Sequence, residues 1–333
     1  MDFHSGKKTI IGIGSPVVDR LAHVADSFIN EKIDGKKGGM ELISDGDISS
    51  ILQSLGKETY RAPGGSAGNT LFTLAKLGMS AGFLGKMGDD ENGTFYKEMF
   101  KQAGGDVTGF KIHTSAPSAL SLCLITPDAE RTMRTHLGAA MALSPDDITA
   151  EDFKGYTHLH TEGYLLFNRE LITHILECAR EAGCTVSMDL ASFEVVENSK
   201  DILPDLLKNY VDIVFANEDE AQAFTGTSDP ETALDRLGKY CHVCALKMGE
   251  KGAFLKHKNR TVKVEAVPVL EVVDTTGAGD FWAAGFLYGY LRQKDLKVCG
   301  DLGAVLGAEV VSVMGASIPE ERWEIIKNQL TAI

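Results

Sequence analysis

The chain has 333 residues, with 33 Lys and Arg against 47 Asp and Glu, a formal charge of −14, and 44% of it is apolar. That length and composition suit a large buried core in one or two domains and exclude disordered, collagen-like and coiled-coil classes. With no basic block, the chain lacks the footprint of a nucleic-acid binder, yet backbone N–H groups can still hold a free nucleotide. No apolar run approaches the roughly 20 residues of a membrane helix, and Thr9 to Ile13, after Lys7 and Lys8, is too short for a signal-peptide core. Six scattered Cys read as thiols of a reducing compartment, so the expectation is a cytoplasmic protein without disulfides.

In chain order, Thr9 to Ile13 predicts a strand. Ala67, Leu71, Leu74 and Ala75 then share one face of a helix that stops at Gly78, and Gly82 to Met87 predicts a second strand. Thr157 to Thr161 is a third strand, followed by a helix carrying Leu171, Ile175 and Ala179 up to Gly183. Thr185 to Asp189, Asp212 to Ala216 and Val243 to Lys247 complete the strands, most of them apolar on both faces. This alternation predicts an α/β fold, a mainly parallel sheet covered by helices on both sides, with ligands at the carboxyl ends of the strands. Two stretches, about 17–61 and 111–137, break the rhythm with alternating, partly polar segments suited to exposed strands. They are expected to form one discontinuous lid on a single domain spanning 1–333.

Two motifs carry chemistry. Asp274-Thr275-Thr276-Gly277-Ala278-Gly279-Asp280 opens the apolar helical run Phe281 to Leu291. Its glycines bring bare N–H groups to a first helical turn, where the helix dipole stabilises an anion such as phosphate. A carboxylate at Asp280, beside such a site, makes sense as the acceptor of a proton from a hydroxyl that attacks phosphorus. A simple cap and tight turn is the plainer alternative. The second motif, Pro63-Gly64-Gly65-Ser66-Ala67-Gly68-Asn69, lets a ligand approach the backbone, and the Asn69 amide suits sugar hydroxyls. Walker A and dinucleotide fingerprints are missing at the strand-helix junctions, since Gly12-Ile13-Gly14 has Val17 where a third glycine belongs.

Together the two motifs, with Gly85-Lys86-Met87-Gly88 and Gly285, resemble the signatures of the pfkB, or ribokinase-like, family of carbohydrate and nucleoside kinases, over nearly the whole chain. The resemblance implies a three-layer α/β/α sandwich with a small β-sheet lid, and ATP and Mg2+ as co-substrates in phosphorylating a primary hydroxyl. Asp280 would be the general base and Gly277, Ala278 and Gly279 the anion hole. Asn217 and Glu220 would form the N-x-x-E element that organises hydrated Mg2+. Gly14-Ser15-Pro16-Val17-Val18-Asp19, Tyr210 to Glu220, and Arg131 with Leu137-Gly138-Ala139-Ala140 resemble the adenosine kinase branch. Asp19, Gly64, Gly65 and Asn69 would then bind the acceptor, Met133 and Phe193 would contact its base, and Arg131 would face the transferred phosphate. Lys247-Met248-Gly249-Glu250-Lys251-Gly252 looks like the nucleotide loop, with Lys247 where a threonine is usual, and Thr275 would join it at ATP. By the same resemblance, the surroundings of Asp274 could hold K+ through backbone carbonyls.

The expected activity is therefore phosphoryl transfer to a small-molecule acceptor, a nucleoside first and a free sugar second, with a silent ligand-binding relative and a nicotinamide oxidoreductase as rivals. Monomer and homodimer are both compatible with the lid strands. Cys241-His242-Val243-Cys244 has no second ligand pair for zinc, and His158, His160 and Glu162, on one strand face, read as structural before metal-binding.

Overall fold

The computed structural model describes residues 9–128 and 130–333; Lys7 and Lys8 lie outside the described residues. In chain order the first strands are β1 (Ile10–Ile13), β2 (Val17–His23), β3 (Met40–Leu42), β4 (Tyr60–Gly64), β5 (Ala81–Gly88), β6 (Phe110–His113) and β7 (Ala119–Ile125). They continue as β8 (Arg131–His136), β9 (His158–Glu162), β10 (Thr185–Asp189), β11 (Ile213–Asn217), β12 (Val243–Lys247), β13 (Ala253–His257) and β14 (Arg260–Val264). The helices are α1 (Asp26–Lys32), α2 (Asp45–Leu55), α3 (Ser66–Lys76), α4 (Glu91–Gln102), α5 (Arg169–Glu181) and α6 (Phe193–Asn198). After them come α7 (Leu203–Tyr210), α8 (Glu218–Thr225), α9 (Pro230–Leu237), α10 (Ala278–Tyr290), α11 (Leu296–Val311) and α12 (Arg322–Ala332).

Nine strands form the large sheet in the order β14-β13-β12-β11-β10-β9-β1-β5-β6. All its pairings are parallel except the hairpins β12-β13 and β13-β14. Successive strand residues face opposite sides, so Ile213 and Phe215 enter one core with α3, α10 and α11 while Val214 and Ala216 enter a second with α5, α7 and α9. The result is a three-layer α/β/α sandwich of the ribokinase-like class. Because its strands are parallel, β1, β9, β10, β11 and β12 all end on one edge, where Glu162, Asp189, Asn217 and Lys247 are the last residues of their strands.

A second sheet of five strands, ordered β3-β8-β7-β2-β4, draws on both stretches that broke the sequence rhythm. The first of them differs from the expectation of exposed strands, since it also contains α1 and α2. Ser44 and Asp47 form a capping box at the start of α2, and Ile48, Ile51, Leu52 and Leu55 sit at helical spacing over Leu122 and Leu124. Phe110–His113 belongs instead to the large sheet, beside β5. All six cysteines are free. No described helix is long and apolar enough to cross a membrane.

Candidate active site

The two glycine-bearing motifs meet. Helix α10 starts behind Gly277, whose φ of 71° is the left-handed conformation that favours glycine. Asp280, in its first turn, does not cap its own helix: Oδ1 accepts from Ser66 Oγ at 2.8 Å and Oδ2 from Asn69 Nδ2 at 2.8 Å. Thr70 Oγ1 donates to the Asp280 carbonyl at 3.1 Å, so the first turns of α3 and α10 are locked together. Burial and the neighbouring Asp189 carboxylate push the Asp280 pKa up to about 6, against the opposing hydrogen bonds of Asn69 and Ser66.

The two helix starts differ electrostatically. At α3, the carboxylate of Glu162 accepts from Ala67 N at 3.0 Å and, on its other oxygen, from Ser15 N at 2.9 Å. The anion site of that helix is filled from within, and burial raises the Glu162 pKa to about 7. Helix α10, thirteen residues long, has no side-chain cap at its N-terminus. The Ala278 amide donates to Thr275 O at 3.2 Å, so the expected anion hole narrows to the amides of Gly277 and Gly279. Thr275 itself is exposed at the rim.

Beside this turn stands Lys247. Its Nζ donates to Asp189 Oδ2 at 2.6 Å, and a Cβ placed on Gly279 would lie 2.9 Å from it. Burial disfavours the ammonium, but the carboxylates of Asp189 and Glu220 outweigh burial and raise its pKa. The loop that follows turns through Gly249 and Gly252, with Met248 N bonded to Gly252 O. Gly252 has a φ of 89°, and a side chain there would strike Val264 O.

Glu218 and Asp219 are solvated in the first turn of α8, whereas Glu220 is only 2% exposed. Its oxygens accept from Asn217 N at 2.8 Å and Asn217 Nδ2 at 2.7 Å, while Glu220 N donates to Asn217 Oδ1, a reciprocal capping box. Burial and Asp189 raise the Glu220 pKa. Asp189, Glu220 and Asp280 thus set three carboxylates against one ammonium, an excess of negative charge that fits a divalent cation. Among the described residues, no three His, Cys, Asp or Glu side chains converge closely enough to ligate a bare ion.

Asp274 sits on the other side of the loop. Oδ1 accepts from Arg131 Nη1 at 2.6 Å and from Thr276 N and Oγ1, and Oδ2 accepts from Gly315 N at 2.8 Å. Both carboxylate oxygens of Asp274 are thus held by protein donors and a guanidinium, and the expectation of K+ bound through backbone carbonyls nearby does not depend on them. Arg131 Nη2 also reaches Met133 Sδ at 3.4 Å.

Asp19 lies over Gly64, where any Cβ would strike its carboxylate, while a side chain at Gly65 would strike Ser15 O. Burial pushes the Asp19 pKa up to about 7, partly offset by Arg131, and Asp280 and Asp274 add to the rise. The same face of the small sheet carries Leu21, Ala62, Cys123, Ile125 and Met133. Phe193, in contrast, is exposed at the start of α6, outside this hydrogen-bonded network. A groove of about 860 Å³, lined by Val267, Leu270, Val273, Val305, Ala308 and Val313 among others, runs beside the segment that leads into Asp274.

Sequence reasoning missed Ser66 and Asp189. Asp189 carried a usable signal, an acid at the carboxyl end of a parallel strand, whereas Ser66 was readable only as part of its glycine-rich turn. His158 and His160 are fully buried and bonded to Thr185 and Ser187, and burial lowers their pKa values to about 3 and about 4.

A model of the pfkB family of carbohydrate kinases matches residues 40–323. Aminoimidazole riboside kinase of Salmonella typhimurium is 32% identical over 261 residues, 75% of this chain and 80% of that protein. A probable sugar kinase from Rhizobium etli has a TM-score of 0.87 at 32% identity, covering 98% of this chain and 100% of its own. Adenosine kinase from Sinorhizobium meliloti has a TM-score of 0.86 at 33% identity, covering 97% and 99%. A family match over most of the chain, joined to solved relatives that it spans almost end to end, means that this chain belongs to the pfkB family of carbohydrate kinases and is an ATP-dependent phosphotransferase.

Proposed function

We propose that the enzyme phosphorylates the primary hydroxyl of a ribonucleoside, adenosine or a close relative. The observation that carries the reading is the double hold of Ser66 and Asn69 on Asp280 at the start of an uncapped helix. In this mechanism the acceptor hydroxyl gives its proton to the Asp280 carboxylate as its oxygen bonds to the γ-phosphorus and the bond to ADP breaks. The amides of Gly277 and Gly279 stabilise the phosphoryl charge, and Arg131 turns from Asp274 to join them. Hydrated Mg2+, when bound near Asp189, Glu220 and Asn217, neutralises polyphosphate charge. Lys247, Gly249, Gly252 and Thr275 line the nucleotide side, and the groove of Val267 to Val273 offers an apolar surface for its base.

A nucleoside is favoured over a free sugar by the face around Asp19. Ribose hydroxyls suit the carboxylate of Asp19 and the amide oxygen of Asn69, whereas Leu21, Ala62, Cys123, Ile125 and Met133 suit a flat, weakly polar ring and leave a second polyol unpaired. The five-stranded sheet, drawn from the stretches about 17–61 and 111–137 apart from Phe110–His113 in the large sheet, acts as the lid that closes this face over the acceptor within one domain. ATP as co-substrate and free thiols support a cytoplasmic setting.

ADP release should be measured over a panel of nucleosides and sugars, with Asp280→Asn alongside the wild type. Adenosine should give the highest kcat/KM, and the variant should lose orders of magnitude in kcat with ATP affinity nearly intact. Preference for ribose or fructose would overturn the nucleoside assignment, and an active Asp280→Asn enzyme would remove the assigned base.

A further inference from the structure

Lys247 and Asp189 form an ion pair at the carboxyl-end edge of the large sheet. They are the last residues of β12 and β10, on either side of β11, and their side chains meet at 2.6 Å. The side chains are 13% and 6% exposed, so this ion pair has left bulk water, and such pairs are held only by good geometry and added hydrogen bonds. Asp189 has one: its Oδ1 accepts from Ala191 N at 3.1 Å. Ala191 adopts a φ of 69°, a left-handed conformation that is unfavourable for a non-glycine residue and persists where the surroundings impose it. The turn after β10 is therefore bent so that one carboxylate oxygen is fixed and the other faces Lys247.

The placement of the ammonium is unusual in a second respect. The side chain lies against Gly279, at the positive end of the thirteen-residue helix α10. A cation there is repelled by the helix dipole and is stabilised by the nearby carboxylates. A further anion on the same first turn would satisfy helix and ammonium together, and of the ammonium's three donors the observed hydrogen bond to Asp189 uses one. Asp280, which takes the acceptor proton, is the next residue after Gly279. The ammonium is near enough to Asp280 to lower its pKa, opposing burial.

We infer that Lys247 is a catalytic residue whose ammonium binds a γ-phosphoryl oxygen during transfer, and that Asp189, fixed by the Ala191 turn, is the positioning residue that holds it there. Lys247 keeps its proton throughout: the acceptor O–P bond forms, the P–O bond to ADP breaks, and the hydroxyl proton goes to Asp280. The inference rests on the phosphotransfer reading given above and adds to it a fixed cation, distinct from the metal and from Arg131, that recognises ATP by its terminal phosphate.

Titration calorimetry with Mg-ATP and Mg-ADP, together with kcat and KM, tests this on Lys247→Met, Lys247→Arg and Asp189→Asn. Losing one charge-assisted hydrogen bond should weaken ATP binding in Lys247→Met about tenfold to a hundredfold, lower kcat, and change ADP binding less than about twofold. Lys247→Arg should recover most of the preference for ATP over ADP. Asp189→Asn should lose part of that preference without weakening ADP. Equal weakening of ATP and ADP, or an unchanged ratio in Lys247→Met, overturns the inference while wild-type activity leaves the kinase reading standing. An inactive wild type counts against that reading, and the ATP/ADP binding ratio still decides whether Lys247 touches the terminal phosphate. Should Lys247→Met fold poorly by thermal melting, the ratio in Lys247→Arg and Asp189→Asn decides.

Discussion

Asp280, the proposed base, is a carboxylate that would take a proton from an alcohol, and its environment suits it to that task. A carboxylate at its ordinary pKa is a poor base, and burial beside Asp189 pushes this one up to about 6. Ser66 and Asn69 work in the opposite direction, so that the group is still ionised at neutral pH and is aimed by two donors. The base must be deprotonated to act, and activity is therefore lost as pH falls through about 6 and levels off above it. With saturating Mg-ATP, kcat/KM for the acceptor should drop about tenfold per pH unit below that point. A rate that stays flat from pH 7 down to pH 5 would show that Asp280 carries no proton in the slow step.

At the scale of the element, the site depends on how closely α10 and α11 approach each other. A Cβ on Gly285 would collide with the Leu302 carbonyl oxygen and lie 2.8 Å from Gly303 Cα, which are backbone atoms that cannot swing away. Gly285→Ala should cost about 1–3 kcal/mol by overpacking, lower Tm by several degrees, and reduce kcat by shifting the helix that carries Asp280. A Tm unchanged within a degree would mean that the helices separate freely. The same elements mark the limits of sequence reading. Strands such as Thr185–Asp189 and Val243–Lys247 were legible to the residue because parallel strands buried on both faces are short apolar runs. Helix α2 was not, since its polar Asp45-Gly46-Asp47 start and Ser-rich middle mimic alternation, although Ser44, Asp47 and the left-handed Gly56 mark both of its ends. Asp280 and Asn69 were legible through their glycine-rich helix starts. The link between Asp189 and Lys247 was not, because that pairing exists only once the strand order puts β10 and β12 on either side of β11.

Across the whole molecule, an ion pair at the site joins the small sheet to the loop before α10. Arg131, from the small sheet, pairs with Asp274, which also accepts from Thr276 and Gly315, so one carboxylate ties β8 to the loop that shapes the α10 N-terminus. Leu21 packs nearby, within van der Waals reach of where a Gly315 side chain would stand. The pair is 16% and 6% exposed, dry enough to matter, yet Asp274 keeps three other donors when Arg131 leaves. In the proposed mechanism, substrate phosphate competes with Asp274 for Arg131, which would exchange one anion for another without being left unpaired. Arg131→Ala should free the small sheet in the absence of ligand. Amide hydrogen exchange in Val17–His23 and Arg131–His136 should quicken about tenfold or more, with β10 to β12 unchanged. The same variant should lose kcat/KM for the acceptor, since the lid and the phosphate both lose the guanidinium. Exchange that stays at the wild-type rate in both strands would separate the two roles and leave Arg131 as a phosphate contact alone.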